Sequence, residues 1–580
     1  MRSAASPIAE TFPWRRAYPP GIAWDIDLPA ETLVSMLEDA VRRHAARPAM
    51  DFLGRRWSYA ELGAQVARAA EGFRQLGLRP GQRVGLCLPN VPAFVIAYHA
   101  VLKAGGAVVA FSPLHAEAEL AQQAADAGVE ILVVADLDPL LPRALGLLRR
   151  GGPGDGPRGA RGGGPVRRLV VCRFVRSLPA WKAAAFRLGK RRSLAPVPRG
   201  DDRILEFDAL LAAPPITEAP AIAPGDLAVL QYTGGTTGTP KGAMLTHANL
   251  CANLRQLHAW FPGAEDGAER VLAVIPLFHV FGMTVAMNGG LAWGAELILL
   301  PRYEWRSLHA VLRRRRPTII PGVPTLFKAM LDNGLGPEDL ASVRACISGG
   351  APLPLAVQRD FESLAGGTLV EGYGLTEAAP VCFCNPFAGE NRPGTIGLPL
   401  PGLRAEIRSL TDPARALPPG ERGELCVAGP NVMAGYWQRP EETARVLGPD
   451  GFLHTGDVGV MDADGYVTLV DRIKDLILVS GFNVYPRAIE EAIYAHPEVV
   501  AATVVGMPDP HRGEAPAAFV QAKPGSTLDA EALRAFLKDR LSAVEMPRLI
   551  EFRAELPRTL VGKLSKTELR AELQRRQEEA

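Results

Sequence analysis

The sequence predicts an α/β protein with a large N-terminal domain of layered parallel sheets and helices, followed by a small α+β domain. Two observations support this fold class. Apolar runs of strand length alternate with helical patterns through most of the 580 residues, and such alternation is typical of parallel sheets covered by helices. Glycine-rich clusters follow several of these runs, and open α/β sheets bind ligands beyond the carboxyl ends of their strands.

The alternation is clearest between residues 84 and 135. Strands are predicted at residues 84–88, 107–111 and 131–135, and helices at residues 92–103 and 116–126. The most apolar long stretch, residues 95–111, contains His99, Lys103 and a pair of glycines. We therefore interpret it as a buried helix that leads into a strand, and not as a membrane-spanning segment.

Further elements continue the pattern along the chain. Strands are predicted at residues 227–232, 318–320, 345–347 and 368–370, and a helix at 246–260. After Asp471 we predict helices at 486–495 and 529–541 and strands at 501–506 and 517–522. These four elements suffice for a small lobe of about 110 residues, so we predict domains at 1–470 and 471–580.

Composition narrows the classes of function. The formal net charge of +2 gives no reason to expect a nucleic-acid partner. The seven cysteines are scattered and odd in number, which favours reduced thiols over a disulfide framework. The first residues lack the apolar run of a secretory signal. We expect a cytoplasmic protein, with peripheral attachment to the inner face of the cell membrane left open.

A basic segment at about residues 149–200 differs from the rest of the chain. Residues 149–168 are mostly Gly, Arg and Pro, as in a flexible insertion. Residues 173–192 hold seven Lys or Arg and no acidic residue, with aromatic and leucine side chains between them. Such a stretch suits an anionic membrane surface, but a solvated surface helix with buried aromatics fits equally well.

The most informative run is residues 231–242, which read Gln-Tyr-Thr-Gly-Gly-Thr-Thr-Gly-Thr-Pro-Lys-Gly. Glycines let backbone N–H groups approach an anion, threonine hydroxyls are further donors, and Lys241 adds positive charge. The run therefore predicts a phosphate-binding loop. It lacks the Gly-Lys-Ser/Thr ending of the Walker loop, which argues against a kinase or an ordinary ATPase.

Further clusters follow this loop in a fixed order. They are Ser348-Gly349-Gly350-Ala351-Pro352, Glu371-Gly372-Tyr373-Gly374-Leu375-Thr376-Glu377, His454-Thr455-Gly456-Asp457, Asp471-Arg472-Ile473-Lys474-Asp475 and Pro557-Arg558-Thr559-Leu560-Val561-Gly562-Lys563. Each alone is compatible with a turn. Their order and spacing together are specific.

With these motifs the chain resembles the acyl-CoA synthetases of the adenylate-forming superfamily, and among them the bacterial medium- and long-chain fatty-acid ligases. The resemblance implies that a carboxylate attacks ATP to give acyl-AMP and pyrophosphate, and that the thiol of coenzyme A then displaces AMP. It also implies a distorted β-barrel part in the large domain. The small domain would rotate about a hinge near Lys474, after which Gly481 would line the passage for the pantetheine arm.

The resemblance implies individual roles in binding ATP and Mg²⁺. The residues assigned to the β- and γ-phosphates are Thr233, Gly234, Thr236, Thr237 and Lys241. Those assigned to adenine are Tyr373 and Gly374 on one side and Gly349, Gly350 and Ala351 on the other. Asp457 would accept from both ribose hydroxyls, with Arg472 nearby. Glu377 would ligate Mg²⁺, which prefers carboxylate and phosphate oxygens.

Four residues are implied to act in catalysis. Lys563 would reach between the substrate carboxylate and the α-phosphate as a point charge, although Val561 stands where many relatives have Ser or Thr. Thr376 would touch the α-phosphate beside the metal ligand Glu377. His279 would lie near the substrate carboxylate.

The acid is less closely defined than the reaction. Residues 276–283 would line the acyl pocket and are apolar apart from His279, which favours a fatty acid over an amino acid. Ligases for medium-chain dicarboxylic or aromatic acids remain alternatives, as does a non-catalytic acyl-binding derivative of the fold. Formation of a homodimer is left open as well.

Overall fold

The computed structural model describes residues 12–150, 166–233, 240–558 and 564–578. The chain forms two compact units. The first runs to Arg404 and includes residues 428–453; the second comprises residues 405–427 and the chain from His454 onward. The boundary predicted near Asp471 falls inside the second unit, and the domain limits 1–470 and 471–580 stay a prediction beside this division.

One sheet of the first unit has seven strands and is parallel except at one edge. Its strands, in spatial order, are Ile204–Glu206, Arg168–Cys172, Ile131–Ala135, Arg83–Cys87, Ala107–Ala110, Leu227–Thr233 and Lys241–Thr246. The last strand pairs antiparallel with Leu227–Thr233, so the chain makes a hairpin there. The predicted phosphate-binding loop connects these two edge strands.

The other sheet of the first unit has nine strands. In spatial order they are Leu398–Pro399, Val381–Cys384, Thr368–Gly374, Ala345–Ser348, Ile319–Gly322, Arg270–Ala273, Glu296–Leu299, Pro48–Phe52 and Arg55–Ser58. The six strands from Thr368–Gly374 to Pro48–Phe52 run parallel. Helices cover this sheet through Leu308, Phe327 and Phe361, all fully buried in one apolar cluster.

Most α-helices of the first unit fall between these strands in the sequence. They are Leu33–His44, Tyr59–Gln75, Pro92–Lys103, Glu117–Ala127, Leu140–Arg150, Ala180–Gly189, Phe207–Leu211, His247–Trp260, Gly289–Ala292, Trp305–Arg315, Pro324–Asp332, Pro337–Leu340, Leu355–Ala365 and Pro440–Val446. A π-helix, Gly282–Asn288, precedes Gly289–Ala292. Short 3₁₀ helices lie at Pro13–Arg16, Phe174–Ser177, Arg191–Ser193 and Thr376–Ala378.

The second unit contains two sheets. A four-stranded sheet has the order Arg404–Arg408, Arg422–Ala428, Leu453–Met461 and Val467–Arg472. A five-stranded sheet joins Phe482–Val484, Ile477–Val479, Gly513–Ala522 and Val499–Asp509, with Leu549–Phe552 paired to Gly513–Ala522. The helices Pro486–Tyr494 and Ala530–Leu537 share one buried cluster with this sheet, and Lys566–Glu578 packs in another. The 3₁₀ helix Ile473–Asp475 lies between the sheets in sequence.

The predicted α/β class is confirmed, and most predicted elements occur within a few residues of their expected bounds. In the basic segment, by contrast, the strand Arg168–Cys172 pairs with Ile131–Ala135 inside the parallel sheet. A helix, Ala180–Gly189, follows. This part differs from the predicted flexible insertion, while residues 151–165 lie outside the described residues.

Two smaller expectations concern the membrane and the cysteines. Across the described ranges, no helix is both long enough and apolar enough to cross a bilayer. Residues 95–111 form the buried helix Pro92–Lys103 and the strand Ala107–Ala110, as predicted. All seven cysteines are buried free thiols, in agreement with the expectation of reduced cysteines.

Candidate functional site

Three parallel strands of the nine-stranded sheet end side by side at the candidate site. Ser348 is in register with Gly322 on one side and Glu371 on the other. The N–H of Gly349 donates to the carbonyl of Gly322 at 3.0 Å, so Gly349 continues the pairing at the strand end, and the chain bends at residues 350–351. The predicted adenine-binding residues 349–351 and 373–374 thus lie on neighbouring strand ends.

Glycine is required where this edge is most crowded. A Cβ at Gly374 would come within 1.8 Å of the carbonyl oxygen of Pro380, so no side chain fits. Tyr373 is opposite Phe383 in the antiparallel pair that continues this strand. The chain then forms the 3₁₀ helix Thr376–Ala378, which presents Thr376 and Glu377 next to the strand Lys241–Thr246.

The hairpin of the seven-stranded sheet places Lys241 directly opposite Thr233. Both residues lie at the ends of their strands, where the predicted phosphate-binding loop begins and finishes. Gly234, Thr236 and Thr237, which were predicted to share the phosphates, lie outside the described residues. Only the two ends of this loop are therefore placed, and both are half-buried.

Four side chains of the first unit form a connected group, which we call the Lys241 network: Lys241, Glu442, Tyr436 and Glu377. Lys241 forms an ion pair with Glu442, and its ammonium lies 5.4 Å from the centre of the Tyr436 ring. The hydroxyl of Tyr436 donates to Glu377 Oε1 at 2.8 Å. The network joins the predicted phosphate-binding lysine to the predicted metal ligand.

Backbone pairing holds Tyr436 in this position. Met244 exchanges hydrogen bonds of 2.9 and 3.0 Å with Gly435 and Ala434, and the N–H of Trp437 donates to the carbonyl of Gly242 at 2.8 Å. Burial of Tyr436 and the nearby carboxylate of Glu377 raise the pKa of the phenol well above its usual value. Tyr436 is therefore neutral and a hydrogen-bond donor at physiological pH.

A second, half-buried group of side chains also holds the segment that carries Tyr436. Asp126 accepts from the hydroxyl of Tyr232 at 2.6 Å and from Arg439 at 2.7 Å. The indole N–H of Trp437 donates to the backbone carbonyl of Asp126 at 3.1 Å. Burial, followed by the hydrogen bond to Asp126, raises the pKa of Tyr232. The strand that leads into the phosphate-binding loop is thus tied to the segment carrying Tyr436.

The start of the predicted acyl-pocket segment, residues 276–283, is held by Asn90, which lies between the strand Arg83–Cys87 of the seven-stranded sheet and the helix Pro92–Lys103. Asn90 is buried and donates to the carbonyls of Ala273 and Ile275 at 3.0 and 2.9 Å, while its carbonyl oxygen accepts from the N–H of Leu277 at 2.8 Å. His279 is half-buried, and its Nδ1 accepts from the N–H of Phe281 at 3.3 Å. The Phe281 ring lies next to the predicted adenine-binding run, because a Cβ at Gly349 would lie 3.1 Å from that ring.

In the second unit, the predicted ribose-binding residue is paired with its predicted neighbour. Arg472 Nε donates to Asp457 Oδ1 at 3.0 Å, with side chains 54% and 9% exposed, respectively. The two residues face each other in the antiparallel pair of Leu453–Met461 and Val467–Arg472. The structure therefore presents the Asp457 carboxylate already oriented by a guanidinium.

Glu424 orders the loop before Asp457. Its carboxylate accepts from His454 Nδ1 at 2.8 Å and from the N–H of Gly456 at 3.0 Å. Cys426 Sγ lies 3.4 Å from the same nitrogen of His454, so the three donor types are close enough to resemble a metal site. The hydrogen bonds within the group already account for Glu424 and His454, and we interpret it as a loop-positioning cluster.

The predicted hinge and passage residues also lie in the second unit. Partial burial lowers the pKa of Lys474, and the Arg472 charge adds to the effect. Asp471, which immediately precedes Arg472 in the sequence, accepts from the backbone N–H groups of Arg472 and Arg487 at 2.7 and 2.8 Å. Gly481 and Ser480 both have positive φ in a two-residue hairpin turn, so the glycine suits the turn conformation as well as its predicted role.

The structure adds residues that sequence reasoning missed, and Lys563 joins Gly234, Thr236 and Thr237 among the predicted residues that it does not describe. Tyr436, Glu442 and Asn90 were not singled out, although the run Gly435-Tyr436-Trp437-Gln438-Arg439-Pro440 combines aromatic residues with the glycine and proline typical of a loop. Lys563, the predicted catalytic lysine, lies outside the described residues. The individual site assignments remain predictions.

Comparison with known proteins covers both units. The family model of the AMP-binding enzyme matches residues 37–437, and that of the AMP-binding enzyme C-terminal domain matches residues 488–563. A long-chain-fatty-acid–CoA ligase of Bacillus subtilis (strain 168) is 40% identical over 96% of this chain and 97% of its own length. A feruloyl-CoA synthase of Amycolatopsis sp. is 35% identical over 88% of this chain and 93% of its own length.

The fold has a solved counterpart. The crystal structure of ATP-bound MatB from Rhodopseudomonas palustris matches with a TM-score of 0.81 and 30% identity, covering 94% of this chain and 99% of that one.

Proposed function

Because this chain belongs to the AMP-binding enzyme family and is an adenylate-forming acyl-CoA ligase, we propose that its substrate is a long-chain fatty acid. The observation that carries this choice of acid is the near full-length likeness to a long-chain-fatty-acid–CoA ligase. The apolar character of residues 276–283 agrees with it. The products would be acyl-CoA, AMP and pyrophosphate.

Adenylation brings two anions together, so the site must supply positive charge and oriented donors. A carboxylate oxygen of the acid forms a bond to the α-phosphorus, the bond from that phosphorus to the bridging oxygen breaks, and pyrophosphate leaves. We assign Lys241 to the departing β- and γ-phosphates, Thr376 to the α-phosphate and Lys563 to the charge that develops between acid and α-phosphate. His279 would orient the acid.

The residues present fit a magnesium ion bound with ATP. Glu377 offers a half-buried carboxylate, and the hydrogen bond from Tyr436 fixes the orientation of that carboxylate. One carboxylate together with substrate phosphates is a usual environment for Mg²⁺. When bound, the ion would neutralise phosphate charge.

Transfer to coenzyme A would follow from the same acyl-AMP. The sulfur forms a bond to the acyl carbon, the carbon–oxygen bond to AMP breaks, and the thiol proton passes to solvent. We propose that the second unit serves this step through Lys474, as a hinge, and through the hairpin that contains Gly481. The exposed Leu478 and Phe482 flank that turn and offer apolar contact to a pantetheine arm.

A panel of acids tests the proposed substrate. Pyrophosphate release is measured with ATP and coenzyme A for saturated C8–C18 acids, for medium-chain dicarboxylic acids and for ferulic acid. We expect the highest kcat/KM within the C8–C18 series, since each buried CH₂ contributes about 0.8 kcal/mol. Preference for ferulic acid would instead support the aromatic-acid alternative, and no turnover on any C8–C18 acid would contradict the proposal.

We also propose that the helix Ala180–Gly189 contacts anionic lipid. Its solvent face consists of Trp181, Ala184, Ala185 and Leu188, spaced as neighbours on one side of a helix. Trp181 is 70% and Leu188 is 88% exposed. Arg187, Lys190 and Arg192 are exposed near its C-terminal end, which suits anionic headgroups.

The N-terminal part of residues 173–192 is less available for lipid. Arg173 and Arg176 form ion pairs with Glu206 and Asp208, and Phe174 is buried. The proposed lipid contact is therefore confined to the exposed face of the helix Ala180–Gly189. A cytoplasmic location and a homodimer remain predictions beside it.

Vesicle sedimentation tests this surface. The double variant Trp181→Ala/Leu188→Ala should lose binding to vesicles containing phosphatidylglycerol, while activity on a short soluble acid stays unchanged. Leu114→Ala, which removes another exposed leucine of the first unit, is the matched control. If the double variant binds these vesicles as the original protein does, the helix is only a surface helix.

A further inference from the structure

The lysine assigned to the β- and γ-phosphates already has an anionic partner within the chain. Lys241 and Glu442 form an ion pair whose side chains are only 14% and 25% exposed. The Tyr436 ring lies on the same ammonium. Water therefore has limited access to this pair, and the charge of Lys241 is compensated in the structure by a carboxylate.

We propose that Glu442 competes with the β- and γ-phosphates of ATP, and with pyrophosphate, for Lys241. The inference rests on the proposed role of Lys241. Carboxylate and phosphate are both oxyanions that accept hydrogen bonds from an ammonium group. A phosphate that approaches Lys241 while Glu442 stays in place meets a like charge, so binding requires Lys241 to exchange one anion for the other.

The exchange has a consequence for the leaving group. After the α-phosphorus–oxygen bond breaks, pyrophosphate remains on Lys241 until it departs. Glu442 can then return to Lys241 and weaken its hold on pyrophosphate. The carboxylate therefore lowers the affinity for pyrophosphate, and it favours release of this product over the reverse reaction.

The neighbouring Glu441 separates this inference from a simpler explanation. Both glutamates belong to the first turn of the helix Pro440–Val446, where acidic side chains interact favourably with the helix dipole. Glu441 is exposed, whereas Glu442 is half-buried and pairs with Lys241. A dipole effect would involve both residues, and competition for Lys241 would involve only Glu442.

The test measures inhibition by pyrophosphate and by AMP in Glu442→Gln and Glu441→Gln. For Glu442→Gln we expect the inhibition constant of pyrophosphate to fall roughly fivefold, as for the loss of an ion pair worth about 1 kcal/mol. The KM for ATP should fall in the same direction. Inhibition by AMP should not change, because AMP lacks the β- and γ-phosphates, and Glu441→Gln should match the original protein throughout.

Unchanged or weaker inhibition by pyrophosphate in Glu442→Gln would overturn the inference. Glu442→Ala serves as a second variant, and the rise in melting temperature on adding pyrophosphate to each folded variant gives a binding readout independent of turnover. Lys241→Ala is measured in parallel. If it leaves pyrophosphate inhibition and the KM for ATP unchanged, the assigned role of Lys241 fails; if it weakens both while Glu442→Gln has no effect, only the competition by Glu442 fails.

Discussion

Each unit contains an ion pair that includes a residue assigned to ATP, and the two pairs affect ligand binding in opposite ways. In the first unit the cation Lys241 is assigned to the ligand, and its partner is Glu442. In the second unit the anion Asp457 is assigned to the ligand, and its partner is Arg472. The ion pair of the first unit therefore compensates the charge of the group assigned to the ligand, Lys241. The ion pair of the second unit instead orients the group assigned to the ligand, Asp457.

The charge of the ligand explains the difference. Phosphates are negatively charged, as Glu442 is, so under the proposed competition they must displace Glu442 from Lys241. The ribose diol is neutral, and a carboxylate has acceptor sites for several donors. Asp457 can thus keep its hydrogen bond to Arg472 while it accepts from ribose hydroxyls. An ion pair at a binding site is inhibitory or supportive according to which partner meets the ligand.

The largest expected effect comes from a residue in neither pair. Lys563→Ala should reduce adenylation by several orders of magnitude, because it removes the charge assigned to the reacting atoms themselves. Thioester formation from supplied acyl-AMP and coenzyme A should be retained. The two half-reactions are measured separately by pyrophosphate release and by consumption of acyl-AMP. Equal loss in both would remove Lys563 from this role and leave the two ion pairs as the main charged contacts.

Asp457→Asn tests the oriented pair. Loss of charged hydrogen bonds worth about 1.5–3 kcal/mol should weaken AMP and ATP binding roughly 10- to 100-fold. The ratio of affinities for ATP and 2′-deoxy-ATP should fall, since the neutral amide keeps only one acceptor oxygen for the ribose hydroxyls. Pyrophosphate inhibition, measured as the control, should be unchanged. Normal AMP affinity in Asp457→Asn would contradict the role assigned to the Asp457–Arg472 pair.

Tyr436→Phe sharpens the comparison within the Lys241 network. The variant loses the hydrogen bond to Glu377, so the carboxylate is less well oriented. We expect the Mg²⁺ concentration for half-maximal adenylation to rise about fivefold, for a contact of about 1 kcal/mol. Tyr232→Phe, which removes a similar hydrogen bond to Asp126, is the control and should leave the Mg²⁺ dependence unaltered. Equal responses of the two variants would contradict a specific role for Tyr436.

Glu424→Gln should give the smallest effect. The amide keeps one acceptor for the loop before Asp457 but cannot serve both His454 and Gly456 as the carboxylate does. AMP affinity should fall about two- to threefold, as expected for part of one hydrogen bond, with pyrophosphate inhibition unchanged. Glu421→Gln, at an exposed position of the same unit, is the control. A change in pyrophosphate inhibition in Glu424→Gln would mean that the cluster acts on more than this loop.

Much of the fold could be predicted because local patterns determine it. The apolar run from residue 92 to 111 gave a helix and a strand in their observed places, since both are buried and bounded by Pro92 and two glycines. The strand Lys241–Thr246 was missed. It is an edge strand, and a glycine-rich loop separates it in sequence from its hairpin partner Leu227–Thr233. Its own sequence has no distinct alternation of apolar and polar residues.

The site was predicted less completely, for a physical reason. Lys241, Glu377 and Asp457 belong to short motifs that resemblance identifies one by one. Glu442 and Asn90 act through contacts between segments about 200 residues apart in sequence, and no local pattern reports such contacts. The basic segment contains regular structure that its Gly, Arg and Pro content did not predict, because the strand Arg168–Cys172 is stabilised by four buried residues and by pairing with Ile131–Ala135 inside the parallel sheet.

The grip of Asn90 on residues 273–277 has a consequence for how this chain can diversify. A single amide, from the loop between the strand Arg83–Cys87 and the helix Pro92–Lys103, fixes the backbone of the segment that leads into the predicted acyl pocket. Gly282, within the same segment, cannot accept a side chain, because a Cβ there would lie 2.3 Å from the backbone carbonyl oxygen of Pro276. Under the proposed assignment of residues 276–283 to the acyl pocket, substitutions at the half-buried Phe278 can therefore change the pocket while Asn90 keeps the backbone of residues 273–277 in place.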